Sequence, residues 1–253
     1  MAFAKMWTIA FRDLGRNRRR SGFTMIAVAI GLALTIVMSG LIANVYDQGL
    51  QDNIRLETGH LQLRADSYEA EKVSLQWEDL VRDPDEIAAT VSSMSEVAAA
   101  APVLWGTAVL NTADDSAGLK LYGIDTISAI HEPIREGLVA GAFLTPDDRD
   151  GIMIGQRLAD DLGIAVDQQV SLSVVNSDGQ PEEGIFTIRG IFSTGIPSYD
   201  QGTLFMPLDK AQALTRTDGH ASAIVVLLHE QDDADAVAAV YNYLALPASR
   251  GAI

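Results

Sequence analysis

The sequence predicts an α+β protein in which a single N-terminal transmembrane helix is followed by an extracytoplasmic domain of two parts. Three observations predict it: 26 consecutive residues without a charge at 21–46, a basic N-terminus joined to an acidic remainder, and, beyond Asp47, short segments that alternate between strand-like and helix-like patterns. Six basic residues against Asp13 alone give residues 1–20 a net charge of +5, so the rest of the chain carries −21 of a total of −16. So acidic a body repels the phosphates of nucleic acid, and no nucleic-acid partner is expected. With no cysteine, disulfides, thiolate metal sites and thiol nucleophiles are excluded.

Residues 21–46 as a helix would rise about 39 Å, more than the roughly 30 Å of bilayer hydrocarbon, so the segment can span with some tilt. Arg16, Arg18, Arg19 and Arg20 abut its start, while Asp47 and Asp52 follow its end. The positive-inside rule then places the N-terminus in the cytoplasm and residues 47–253 outside. The run is too long for the apolar region of a cleaved signal peptide, and Leu41 and Ala43 make a poor cleavage pair, which predicts an uncleaved anchor. Within the span Ala27, Gly31, Thr35, Ser39 and Ala43 recur every fourth residue, a ridge of small side chains along which another membrane helix could pack closely. The alternative is that small residues are simply common in membrane helices. Before the span, Phe3, Trp7, Ala10, Phe11 and Leu14 fall at helical spacing, which predicts that residues 1–20 form a basic amphipathic helix on the inner membrane surface, ended at Gly15.

In the body, the alternation through His60, Leu61, Gln62 and Leu63 predicts a strand over 59–64. Pro84 opens a helix for which Asp83 is the expected N-cap, with Glu86 three residues on and Ile87, Val91 and Met94 as its apolar stripe. Residues 97–112 and 119–125 read as two strands joined by an acidic loop at Asp114 and Asp115. A strand is expected at 151–154, a short helix at 156–162, and strands at 169–175 and 184–192 around an Asp178-Gly179 turn. The pattern then returns to α/β, with strands at 203–206 and 222–229, a helix at 208–214, and a last helix at 232–244 capped by Asp232. A mainly β segment, 132–195, lying between α/β segments 47–131 and 196–253 predicts one part inserted into a loop of the other.

No constellation for catalysis appears. There is no GxxxxGK[ST] loop, so a nucleotide is not hydrolysed here by the usual route, and there is no GxSxG elbow. His131 and Glu132 begin like HExxH, but Arg135 occupies the second histidine position and Pro133 would disrupt the helix. Asp147, Asp148 and Asp150 resemble part of a calcium loop, but Pro146 stands where the first ligand should be, so a solvated acidic turn is expected. No enzyme activity, cofactor or metal is therefore expected of the chain.

Four segments in order carry a family likeness: the basic helix and single span; Gly59 to Leu63 (GHLQL); Gly155 to Gly163 (GQRLADDLG) followed by Val166, Asp167 and Val170; and Phe186 to Gly195 (FTIRGIFSTG) with Asp200 and Phe205 to Gln212 (FMPLDKAQ). Together they resemble permease subunits of the MacB, LolC/LolE and FtsX class of ABC transporters. The resemblance implies a periplasmic domain with a porter-like α/β part at 47–131 and 196–253 and an inserted mainly β part at 132–195, in the cell inner membrane. It implies as partners a separate ABC ATPase subunit, a second permease copy or paralogue, membrane lipid, and a lipoprotein or periplasmic carrier. Tasks in the class include lipoprotein release, export and control of cell-wall hydrolases, and the GHLQL segment leans towards lipoprotein release. Members of the class carry three further membrane helices after this domain. No later run here is apolar for the roughly 18 residues a span needs. The expectation is therefore the N-terminal portion of a longer permease, against the alternative of a stand-alone, membrane-anchored binding or scaffolding module.

Overall fold

A computed structural model describes residues 18–68 and 73–230, together with Ala234, Val237 and Ala238. The amphipathic helix expected over residues 1–20 lies outside the described residues for all but Arg18, Arg19 and Arg20. The helix expected over 232–244 likewise lies outside them except for those last three positions, which are helical. The chain divides into two units, Met1–Asp52 and Asn53–Ile253.

The first unit contains helix α1, Arg18–Asn53, whose stretch Gly22–Leu41 has a mean hydropathy of 2.2. At 1.5 Å per residue those 20 residues rise about 30 Å, the thickness of the hydrocarbon layer. The large apolar side chains from Phe23 to Leu41 are each at least half exposed and point all around the axis, the pattern of a helix solvated by lipid. The helix continues seven residues past Tyr46 through a hydrophilic stretch. Extending a formed helix adds a hydrogen bond for each residue fixed, and no proline interrupts it.

The second unit is organised by strands. They are β1 (Leu61–Leu63), β2 (Val81–Arg82), β3 (Val97–Asn111), β4 (Ser116–Ile124), β5 (Leu138–Gly141), β6 (Gly151–Gly155), β7 (Gln169–Val175), β8 (Pro181–Phe192), β9 (Thr203–Pro207), β10 (His220–Ala221) and β11 (Ala223–Leu228). The helices between them are α2 (Pro84–Ser92), α3 (Glu132–Glu136), α4 (Gln156–Leu162), α5 (Pro197–Gly202) and α6 (Leu208–Thr215). Six strands close on themselves: β3 pairs with β4, β4 with β9, β9 with β6, β6 with β8, β8 with β7, and β7 returns to β3. The β4–β9 and β6–β8 pairs are parallel and the other four antiparallel. Segment 132–195 supplies β6, β7 and β8 to this ring, and the flanking segments supply β3, β4 and β9.

Because strand side chains alternate, every second residue points into the ring. Leu104, Ala108 and Leu110 of β3, Leu119 and Leu121 of β4, Ile152 and Ile154 of β6, Leu172 of β7, Ile188 of β8 and Leu204 of β9 form one buried cluster, closed by Leu158 of α4 and Ala211 of α6. A second cluster on the opposite face of several of these strands joins Val103, Tyr122, Met153, Phe192 and Phe205 to Ile130 and to Ile134 of α3. Outside the ring, β11 pairs with β3 and β1 with β11, and α2 covers them with Ala88 and Val91 against Leu63, Ile224 and Val226.

Three sequence-based expectations need correction. Asp83 occupies the N-cap position of α2, but it is left-handed (φ 49°) and its side chain caps nothing. Its N–H instead donates to Gly219 O at 3.1 Å, beside the β2–β10 ladder, and this fixes the backbone outside the extended geometry that side-chain capping needs. Strand β4 begins at Ser116 rather than at 119, because its polar start completes the ladder with Val109, Leu110 and Asn111. Strand β8 likewise begins at Pro181 rather than at 184, because Pro181, Glu182 and Glu183 continue the ladder with Val175, Val174 and Ser173. Gly155 and Gly163 (φ 64°) flank α4 as read, and Gly190 lies where any side chain would strike the Ala142 carbonyl.

Candidate functional site

Strand β1 buries Leu63 and turns Gln62 and Arg64 to its other face. In the β3–β4 hairpin Trp105 stands opposite Tyr122, and Thr107 opposite Lys120, so Trp105, Tyr122 and Lys120 share one side. Together with Glu57, Tyr68, Val73 and Asp79 these residues line a cleft of about 220 Å³. The Arg64 guanidinium lies between two rings, 3.8 Å from the Tyr68 centroid and 4.5 Å from that of Trp105. Its Nε donates to Gln62 Oε1 at 2.9 Å, and Gln62 Nε2 donates to the Glu57 carbonyl at 3.3 Å. The Glu57 carboxylate accepts from the Tyr122 hydroxyl at 2.8 Å and from Lys120 Nζ at 3.4 Å. Beside them the Trp105 backbone N–H donates to Ser222 Oγ at 2.9 Å.

These groups are held rather than merely present. Burial raises the Tyr122 hydroxyl far above its ordinary range, with Tyr199 and Glu57 adding to the effect, so it remains a donor to Glu57 at any physiological pH. Burial likewise raises Tyr199, whose hydroxyl donates to the Leu56 carbonyl at 3.4 Å. Burial also lowers Arg64, with Tyr68 opposing the shift. A guanidinium stays charged throughout, so a fixed cation lines the same half-apolar space as the Glu57 side chain.

A second cavity, of about 10 Å³, shares Glu57, Trp105 and Tyr122 with the cleft and is also lined by His131. His131 is buried, and its Nε2 has no hydrogen-bond partner. Burial, with the nearby Arg135 charge, pushes its pKa down to about 3. Between pH 6.5 and about 3 the unfolded chain therefore binds a proton that the folded chain refuses, and stability falls as the pH is lowered through that window. The expected loss from this one residue is about 2 kcal/mol between pH 7 and pH 5. Urea unfolding at the two pH values checks it: the His131→Leu variant should lose about that much less than the parent.

The residues singled out from sequence fall elsewhere. Ala27, Gly31, Thr35 and Ser39 lie on α1 with exposed side chains, and Ala43 lies outside the residues whose side chains are described. Nothing within 4 Å would meet a Cβ on Gly31, and Thr35 Oγ1 donates to the Gly31 carbonyl at 2.9 Å. The Asp178-Gly179 turn is pinned: Ser177 N–H donates to the Thr215 carbonyl at 2.9 Å, and Arg216 pairs with Glu182 at 2.9 Å. Asp148 closes a turn onto the Thr145 N–H at 2.7 Å, and among the described residues no group of three His, Cys, Asp or Glu is placed to hold a metal ion. The cleft residues Glu57, Arg64, Lys120 and Tyr122 were not picked out in advance. The available signal was the lone aromatic in each of two otherwise aliphatic strands, Trp105 and Tyr122, which marks a cross-strand pair.

A family model described as the MacB-like periplasmic core domain matches residues 21–241. The lipoprotein-releasing system transmembrane protein LolC of Neisseria meningitidis serogroup B is 25% identical over 237 residues, covering 88% of this chain and 54% of its own length. The chain thus spans about half the length of the curated relative it matches. Among solved structures, the periplasmic region of MacB from Actinobacillus actinomycetemcomitans superposes with a TM-score of 0.51 at 16% identity, covering 76% of this chain and 87% of that one. The extracellular domain of the noncanonic ABC-type transporter YknZ from Gram-positive bacteria gives 0.46 at 12% identity, covering 62% and 78%.

Proposed function

The chain belongs to the family of the MacB-like periplasmic core domain, and from that premise we propose that it is the N-terminal part of an ABC-transporter permease that works with a separate ATPase subunit. The observation that carries the reading is the extent of the match: it begins at residue 21, inside the apolar helix, and runs to residue 241, so helix and folded unit are inherited as one piece. The basic residues before α1 and the acidic body after it support a cytoplasmic N-terminus and an extracytoplasmic second unit in the inner membrane. The likeness to LolC supports lipoprotein release as the task, with a lipoprotein or a periplasmic carrier as partner. In this reading residues 47–131 and 196–253 are the porter-like part and 132–195 the inserted part, and the two work through the strands they share.

A permease of this kind pairs with a second copy or a paralogue, and the ridge Ala27, Gly31, Thr35, Ser39 and Ala43 is the surface proposed for the neighbouring membrane helix. Without a hydrophobic force between helices in lipid, close approach of small residues supplies much of the packing. Reconstitution with the ATPase in lipid nanodiscs tests the reading: ATP-dependent release of a lipoprotein from the membrane is expected. Failure to associate with any ABC ATPase would favour the anchored binding module instead. Replacing both Gly31 and Ser39 by Leu should reduce co-purification of the partner permease about tenfold, and unchanged co-purification would refute the ridge.

A further inference from the structure

Helix α6 ends on a left-handed residue, Arg216 (φ 56°). The Thr217 N–H donates to the Gln212 carbonyl at 2.9 Å and the Arg216 N–H to that of Ala213 at 3.4 Å, a closing pattern whose left-handed position is usually glycine. Helix α4 follows that preference: it ends on Gly163 (φ 64°), and the Ile164 N–H donates to the Ala159 carbonyl at 2.9 Å. An arginine in this conformation crowds its Cβ against its own backbone, which glycine would not. Its side chain, in turn, reaches what glycine could not. The guanidinium lies 2.9 Å from Glu182 and 3.5 Å from Asp178, at the turn between β7 and β8.

The turn reaches back in the same place. Ser177 donates its N–H to the Thr215 carbonyl and its Oγ–H to the Arg216 carbonyl, both at 2.9 Å, and so satisfies two of the carbonyls left over at the end of α6. The shape of the turn needs none of these bonds. The Asn176 N–H donates to the Gln180 carbonyl and the Gly179 N–H to the Asn176 carbonyl, both at 2.9 Å, while Asn176 Oδ1 accepts from the Asp178 and Gln180 N–H groups at 3.0 Å. Residues 176–180 therefore set their own form, and only their docking depends on α6. The Arg216, Asp178 and Glu182 side chains are 54%, 58% and 36% exposed, so both ion pairs are screened by salt and each is weak. Contacts of this kind hold a docked position over a free one by a narrow margin. We propose that Arg216 is an electrostatic latch: it docks the preformed β7–β8 turn on the end of α6 and releases it, shape intact, when its two carboxylates are screened or a competing anion takes its charge. The device lies within the second unit and holds whether or not the chain is part of a permease.

Amide exchange of the full chain in detergent micelles, read by NMR, tests this with two reporters. Docking protects the Ser177 amide, and the turn itself protects that of Asn176. Raising NaCl from about 0.1 M to about 1 M shortens the screening length from about 10 Å to about 3 Å, and should speed exchange at Ser177 about threefold relative to Asn176. Arg216→Gly should speed Ser177 about tenfold, abolish its salt response, and leave the urea midpoint unchanged or raised, because the left-handed position is relieved. Glu182→Gln keeps an acceptor for Asn176 Nδ2 and leaves residue 216 as it is, so it should speed Ser177 by a smaller factor. A Ser177 amide that salt and both variants leave unchanged, one that accelerates only together with Asn176, or an Arg216→Gly midpoint below that of Glu182→Gln would each overturn the assignment.

Discussion

Gly155→Ala is expected to cost the second unit about 3 kcal/mol or more, and Gly155→Val to prevent it from folding. The backbone is not the reason, since φ −71° and ψ 151° suit any residue. The reason is space: a Cβ at this position would overlap the carbonyl oxygen of Asp200 and lie 2.5 Å from its C and Cα. Backbone atoms cannot rotate aside as a side chain can, so α5 would have to lift away from β6. That movement would pull on a buried carboxylate, because Asp200 accepts from Ser193 Oγ at 2.9 Å, Thr194 N–H at 2.9 Å and Thr194 Oγ1 at 2.7 Å. Each buried donor left without its acceptor adds about 1–3 kcal/mol. Urea unfolding followed by circular dichroism reads the effect. Gly118→Ala, where nothing lies within 4 Å of the new methyl, should change stability by no more than about 0.5 kcal/mol.

Phe192→Ala should destabilise by about 3–5 kcal/mol. Phe192 is fully buried in the second cluster, with its ring edge-on to Phe205 at 5.2 Å and to Tyr199 at 6.5 Å. It ends β8 where that strand pairs with both β5 and β6, so the cavity left by truncation opens beneath two ladders. Phe192→Leu keeps most of the volume and should cost less than about 1.5 kcal/mol. The midpoint of denaturation should shift in both variants with the slope unchanged, as expected when the native state alone is altered.

Much of the local architecture could be read from sequence because its determinants are local. Twenty-six uncharged residues define α1, Asp114 and Asp115 mark the loop between β3 and β4, and Gly155 and Gly163 bracket α4. Closure of the ring could not be read, because it depends on β7 meeting β3, as in Leu172 beside Leu110, and on two parallel pairings that no turn announces. The cleft was hidden for the same reason: Glu57 and Tyr122 are 65 positions apart, and Ser222 and Trp105 are 117 apart. Asp83 shows the reverse failure, where a correct local signal was overridden by a tertiary hydrogen bond to Gly219.

The closed ring also sets a timetable for synthesis. Strand β3 begins at Val97 and the last member of the ring, β9, ends at Pro207, so about 110 residues must be made before the ring can close. At the ribosomal pace of 5–20 residues per second, that leaves the apolar residues to be sealed inside in an open ring for roughly 5–20 s. A nascent chain of this design exposes an unclosed ring through that interval, and strong overproduction should fail by aggregation of the half-made ring rather than by loss of the finished fold.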